Sequence, residues 1–255
     1  MKEEPDMNAL TGIGLAMALS LAAASATPAD TKGPAEADLF LHLKDAFKNP
    51  PEEAGKPRVL LIGDSISIGY TVPVRKHLQG KALVFRPPVN CQFTGYGLAN
   101  VKKWLGTNKW DVIHFNWGIW DTHLLDAKGN LVHTADETKS AVPLHIRYTP
   151  EQYRTNLTQL VNILQATGAR LIWAETTPVM SRTGARFEDI RIRNDIAAEI
   201  MKARKIEIDD LYAFTLPHVK EWQNADQVHF NAAGNDKLGE RVGSFILRAL
   251  EDIGR

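Results

Sequence analysis

Two short stretches of the chain carry residue types able to do covalent chemistry. The first is Gly63-Asp64-Ser65, which follows the apolar run Val59 to Ile62. A serine on a tight strand-to-helix turn shows its hydroxyl at the carboxyl edge of a sheet. Backbone N–H groups of the turn and the helix N-terminus aim at the same spot. The second stretch is Asp226-Gln227-Val228-His229. An acid three residues before a histidine can share its turn, fix its tautomer and stabilise the imidazolium. Each stretch alone has a plainer reading: Asp64 and Ser65 are ordinary helix-capping residues, and Asp-x-x-His pairs arise by chance. Together, near the two ends of one domain, Ser65, Asp226 and His229 form a candidate Ser-His-Asp set for acyl transfer.

The elements that must position them read as strands alternating with helices. Short apolar runs at Val59–Ile62, Ala82–Arg86, Trp110–Phe115, Arg170–Glu175 and Ile206–Ile208 predict five strands. Helical spacing predicts helices from Ser65 to Gln79, around Leu98–Leu105, from Thr149 to Gly168, from Phe187 to Lys205, and toward Ile253 at the end. Thr149 and Pro150 supply a cap and a first-turn proline. The basic residues of the Phe187–Lys205 helix read as a solvated face. Leu124 to His133 reads as a hairpin turning at Lys128-Gly129-Asn130, in a long connection that leaves the carboxyl edge and is expected to wall the site. Such alternation implies an α/β fold with a parallel sheet, helices on both faces and a site at the carboxyl edge.

With these residues in place, the chain resembles the SGNH (GDSL-type) hydrolases over roughly Pro57 to Ile253. Gly63-Asp64-Ser65 carries the first block of the resemblance and Asp226-x-x-His229 the last. The resemblance implies a three-layer α/β/α sandwich with a flavodoxin-like, five-stranded parallel sheet in the order 2-1-3-4-5. It implies Ser65, His229 and Asp226 as the catalytic residues, and no metal or other cofactor. It also implies an oxyanion held by the serine N–H, a loop glycine N–H and an asparagine amide. Two blocks depart from that pattern. The position falls near Cys91 or Gln92, neither of them a glycine, so the Gln92 N–H is one substitute and Gly95 or Gly97 are others. The third block reads Gly118-Ile119-Trp120-Asp121, with tryptophan where the family has asparagine. The Asn116 amide or the Trp120 indole N–H could donate instead, or backbone groups alone could remain.

Composition fits one globular domain: 255 residues, 44% hydrophobic, 24% charged and formal net charge +0. That balance gives no support for a nucleic-acid partner. Ala9 to Ala24 is apolar and rich in small residues, and Ala24-Ser25-Ala26 has the form of a cleavage site. Residues 1–26 are therefore expected to be a signal peptide, 27–56 a linker with a short helix, and 57–255 the domain. Glu3, Glu4 and Asp6 conflict with the usual positive start, which translation from Met7 would remove. The apolar run is short for a membrane span, so export without a stable anchor is expected. The single cysteine, Cys91, reads as a buried structural thiol. His114, His123, His133 and His145 match no compact metal-ligand spacing. Trp117 and Trp120 suit either core packing or stacking on sugar rings.

The sequence thus leads to an expected function: an exported serine esterase acting on a small-molecule or carbohydrate ester, with acetyl esters of carbohydrate as the analogy suggested by the resemblance. A lipase or thioesterase with the same triad is one alternative. A carbohydrate-binding protein with a weakened hydrolase site is another.

Overall fold

A computed structural model describes residues 44–132, 143–180 and 187–254 of the chain. The expected signal peptide, residues 27–43 and His133 lie outside these ranges. In chain order the elements are β1 (Arg58–Ile62), α1 (Ser65–His77), β2 (Leu83–Phe85), α2 (Thr94–Leu105) and β3 (Val112–Phe115). A 3-10 turn (Ile119–Thr122) leads to the short strands β4 (Leu124–Leu125), β5 (Leu131–Val132) and β6 (His145–Ile146). Then come α3 (Pro150–Gln165), β7 (Arg170–Ala174), α4 (Phe187–Ala203) and β8 (Glu207–Asp209). The chain closes with α5 (Leu211–Thr215), α6 (Val219–Trp222) and α7 (Ala232–Asp252).

The main sheet runs β2-β1-β3-β7-β8 with every pairing parallel. This is the expected 2-1-3-4-5 order, with helices covering both faces. Strand β1 shows why. Its residues alternate between faces with period two, so Val59 and Leu61 join one core while Leu60 and Ile62 join the other. The first core holds Tyr70 and Val74 of α1 with Leu238, Val242 and Ile246 of α7. The second holds Val101 of α2, Leu157 and Leu164 of α3, and Ile196 and Ile200 of α4. Helices α1 and α7 lie close because Gly239 faces Pro73 and Gly243 faces His77, where a Cβ would collide.

Helix α3 starts as its sequence implies. Thr149 caps it, Pro150 opens it, and Gln152 returns the bond to close a capping box. The hairpin is also found, between β4 and β5, with Gly129 at φ 81 and Asp126 gathering the N–H groups of Lys128 and Asn130. Strand β6 adds a third strand to this small sheet. One expectation fails on α4. Arg193 is not on a solvated face but fully enclosed. It lies among the buried positions Ile190, Asn194 and Ala197. Its Nη2 donates to the Tyr148 carbonyl at 2.7 Å, and its Cζ stands 5.8 Å from the Tyr153 ring centre.

Candidate active site

Strand β1 ends at Ile62, and Gly63 and Asp64 turn the chain into α1, so Ser65 is the helix's first residue. The turn is fixed from inside. Asp64 is the N-cap, and its Oδ1 accepts the Ile66 N–H at 3.0 Å. The Ser67 hydroxyl donates to the Asp64 carbonyl at 2.8 Å. The Ser65 N–H sits in the first helical turn, whose N–H groups have no intrahelical acceptor, at the positive end of the helix dipole.

The other half of the site comes from the far end of the chain. The loop after α6 is pinned by the bridge between Gln223 and Phe230 and by Asn224 N–H donating to the His229 carbonyl at 2.8 Å. The Gln223 side chain donates to the Pro178 carbonyl, tying the loop to the exit of β7. Gln227 adopts φ 62, which lets the turn fold Asp226 back under His229. Asp226 Oδ1 accepts the N–H groups of Val228 and His229, each at 3.0 Å. Its Oδ2 lies 2.6 Å from His229 Nδ1, and His229 Nε2 lies 2.8 Å from Ser65 Oγ. The structure therefore brings Ser65, His229 and Asp226 into one hydrogen-bonded line. A carboxylate only accepts, so the Nδ1 proton points to Asp226 and Nε2 is left to accept from the serine hydroxyl.

Partial burial works against ionising Asp226, but the His229 ring and the two turn N–H groups outweigh it and hold its carboxyl below the usual range. Burial pushes Asp64 the other way, against the pull of the Ile66 N–H, His229 and Arg86. A cavity of about 10 Å³, the room of one water, lies behind the turn, lined by Asp64, Asn116, Glu175, Thr176 and Thr177 among others.

The expected oxyanion donors have hydrogen-bond partners within the protein. The Gln92 N–H donates to its neighbour Asn90 Oδ1 at 2.9 Å, and Gln92 sits at φ 50, a conformation that glycine adopts freely. The Asn116 amide gives its two N–H groups to the Ala174 carbonyl at 2.8 Å and Thr176 Oγ1 at 3.1 Å. In this arrangement protein acceptors engage both. Gly97 donates to the Phe93 carbonyl and packs on the Trp117 ring. Trp120 is half-buried against the α1/α7 core, its ring 5.1 Å from that of His123. Trp117 is fully enclosed and donates to the Cys91 carbonyl at 3.3 Å, so it serves the core and not a sugar-facing surface. Cys91 is buried, and burial pushes its thiol up to about 12, which removes it as a nucleophile at neutral pH. His114 and His123 are buried and His145 is exposed.

Sequence reasoning missed the polar supports beneath the site. Asp121 takes the Thr94 N–H at 3.1 Å and its hydroxyl at 2.5 Å, joining the 3-10 turn to the start of α2. Arg86 is almost fully buried under the Ser65 turn. Asp121 falls in the segment read as a connection and Arg86 at the end of the second predicted strand, where spacing gives no sign of burial.

No protein-family model and no curated protein matches the chain by sequence. Solved structures match it by shape. One is a lipase/acylhydrolase from Enterococcus faecalis, with TM-score 0.58, 20% identity, and coverage of 74% of this chain and 95% of that one. A GDSL-like lipase from Bacteroides thetaiotaomicron gives TM-score 0.57 at 16% identity, covering 84% and 99%. An acetyl xylan esterase gives TM-score 0.57 at 13% identity, covering 74% and 99%. With its parallel sheet in the order β2-β1-β3-β7-β8 and helices on both faces, the chain has the three-layer α/β/α fold of the SGNH hydrolases.

Proposed function

We propose that the protein is a serine esterase that cleaves carboxylic esters through an acyl-enzyme. The observation that carries this reading is the line from Ser65 Oγ through His229 to Asp226, at 2.8 and 2.6 Å. In the first half-reaction Ser65 Oγ attacks the ester carbonyl carbon as His229 Nε2 takes the hydroxyl proton. Asp226 keeps the imidazole oriented and stabilises its charged form. Collapse of the tetrahedral intermediate breaks the bond to the alcohol, and His229 returns the proton to the leaving oxygen. Water then attacks the acyl carbon, giving up a proton to His229, which passes it to Ser65 Oγ as the acyl–serine bond breaks and the carboxylic acid leaves.

The substrate part of the reading is narrower: acetyl or other short acyl groups on a carbohydrate, met outside the cell. Its support is the small-residue cleavage pattern at Ala24-Ser25-Ala26, half-buried Trp120 at the carboxyl edge, and the likeness to an acetyl xylan esterase. A lipase or thioesterase would share the triad and differ in acyl-chain preference. The commitment of the Gln92 N–H and the Asn116 amide to protein acceptors favours a second reading, a sugar-binding protein with a weakened hydrolase site.

Labelling with a fluorophosphonate, read by mass spectrometry at Ser65, tests the reading together with p-nitrophenyl ester turnover. A product burst, Ser65 labelling and the loss of both in Ser65→Ala are expected. Sugar binding with no labelling and no turnover would select the second reading. N-terminal sequencing of the exported protein checks the processing, with a start at Thr27 expected.

A further inference from the structure

Arg86 follows β2 directly, and its backbone is held by one side chain. Asn49 Oδ1 accepts the Arg86 N–H and Asn49 Nδ2 donates to the Arg86 carbonyl, both at 2.9 Å. The residue as a whole is 2% exposed. Nη1 donates to Thr71 Oγ1 at 2.8 Å and to Ser67 Oγ at 3.3 Å, and Nη2 reaches the Gly63 carbonyl at 3.4 Å. The Phe47 ring covers it, 5.2 Å from Cζ. Among the described residues no carboxylate lies within ion-pair distance, and Nε has no acceptor. Burying a cation without an ion pair costs several kcal/mol, so the fold must offset a considerable penalty at this position.

The surroundings are arranged for that cation. Thr71 spends its proton on the Ser67 carbonyl at 2.6 Å, and Ser67 spends its own on the Asp64 carbonyl. Both hydroxyls therefore turn lone pairs toward Arg86. The Gly63 carbonyl, two residues before Ser65, accepts from Arg86 and from the Cys91 N–H at 3.2 Å. The guanidinium thus lies beneath the turn and next to the positive end of α1. Asp64 is the acid whose ionisation it favours, and His229 acts on the same carboxyl. Meanwhile two of the expected oxyanion donors are committed elsewhere.

We propose that Arg86 is a positioning residue for the nucleophile turn whose fixed positive charge, acting from beneath the turn, favours the negative charge that develops on the substrate oxygen beside Ser65. This deepens the esterase reading and rests on it. The charge is in place before substrate arrives, so no reorganisation accompanies the reaction. It touches neither substrate nor the reacting atoms. Its effect belongs to kcat, because the substrate carbonyl becomes anionic only on the way to the transition state.

The test compares Arg86→Lys with Arg86→Gln in steady-state hydrolysis of p-nitrophenyl acetate, with thermal unfolding measured alongside. Arg86→Gln keeps hydrogen-bond donors and loses the charge. A fall in kcat of about tenfold or more, with KM within about twofold, is expected for it. Arg86→Lys keeps the charge and loses the fork, so it should recover most of that loss. Equal losses in both variants, at matched folding, would overturn the electrostatic role and leave a purely geometric one. Should Arg86→Gln not fold, Thr71→Val gives the same decision. It removes the 2.8 Å anchor and leaves the cation free to shift, so a kcat unchanged within about twofold would overturn the proposal. Wild-type protein that neither turns over the ester nor labels at Ser65 would reject the esterase reading itself, and this role with it. A normal wild type with unaffected Arg86→Gln rejects only the role.

Discussion

Asp226 and His229 grip each other twice: the carboxylate takes the ring Nδ1 at 2.6 Å with one oxygen and the backbone N–H of the same residue at 3.0 Å with the other. The ring is therefore oriented by its own turn and needs no distant element. Asp226→Asn keeps the shape but offers an amide that can donate to Nδ1, which would place the ring proton on Nε2, facing Ser65. A loss of about 10³- to 10⁴-fold in kcat with little change in KM is expected. Fluorophosphonate labelling of Ser65 should slow in parallel. A variant that keeps wild-type labelling speed would remove Asp226 from the mechanism.

Buried Asp121 and half-buried Glu175 make stability depend on pH, and buried Asp64 adds to it in the same direction. Burial pushes Asp121 up to about 7, against the Thr94 hydrogen bonds, and burial with the Asp210 carboxyl nearby pushes Glu175 up to about 8. Unfolded, these groups ionise near 3.8 and 4.5. Between those values the folded protein keeps protons that the unfolded chain has released. Unfolding free energy should then fall as pH rises from about 4 to about 8, and level off above it. Asp226 contributes the opposite slope at acid pH, its stabilising share being lost as pH falls through its lowered value. Urea unfolding midpoints across this range check the sign. Glu175→Gln and Asp121→Asn should each flatten the slope, and an unchanged slope in both would contradict the assignment.

The hydrogen-bonded line of Ser65, His229 and Asp226 was legible because each half is local. A strand, a glycine, an acid and a serine sit together, and the acid and imidazole share one turn. Their meeting across 164 residues follows from the parallel sheet, which delivers both to one edge. The donors were not legible, since an N–H is spent or free according to long-range partners. Asn116 is committed to residues 58 and 60 positions away. Buried charge was also hidden. Arg193 looked solvated by its type, although its place three residues after Ile190 and three before Ile196 puts it on the buried stripe of α4. Arg86 had no such spacing signal, because it ends a strand, and only the Ser67 and Thr71 hydroxyls opposite it show that a cation belongs there.

Gly118 and Thr176 join the carboxyl ends of β3 and β7. A methyl group at Gly118 would collide with Thr176 Oγ1, the atom that accepts the Asn116 amide. Its φ of 173 is extended backbone, so the constraint is space alone. Gly118→Ala should cost about 1–3 kcal/mol by overpacking. Adding Thr176→Ala should return part of the stability, because it removes the colliding hydroxyl. Chemical denaturation of the single and double variants measures this coupling, and strict additivity would disprove the clash.

Trp120 is the remaining side-chain candidate for the oxyanion. It follows Gly118 and Ile119 in the 3-10 turn, and its carbonyl accepts Arg147 Nε at 2.9 Å, which fixes its backbone. The ring is held by tilted contact with His123 and by the core beneath. Trp120→Phe keeps most of that packing and deletes the indole N–H. If the indole donates to the developing oxyanion, kcat should fall about 10²- to 10³-fold while the melting temperature stays nearly constant. Trp120→Ala would add a stability loss from the vacated volume, which separates packing from donation. An unaltered kcat in Trp120→Phe would leave backbone N–H groups, those of Ser65 and Gly95 among them, and the Arg86 charge as the sources of positive potential at this site. In that case Trp120 would act through its ring face, and its loss should raise KM for carbohydrate esters while sparing p-nitrophenyl acetate.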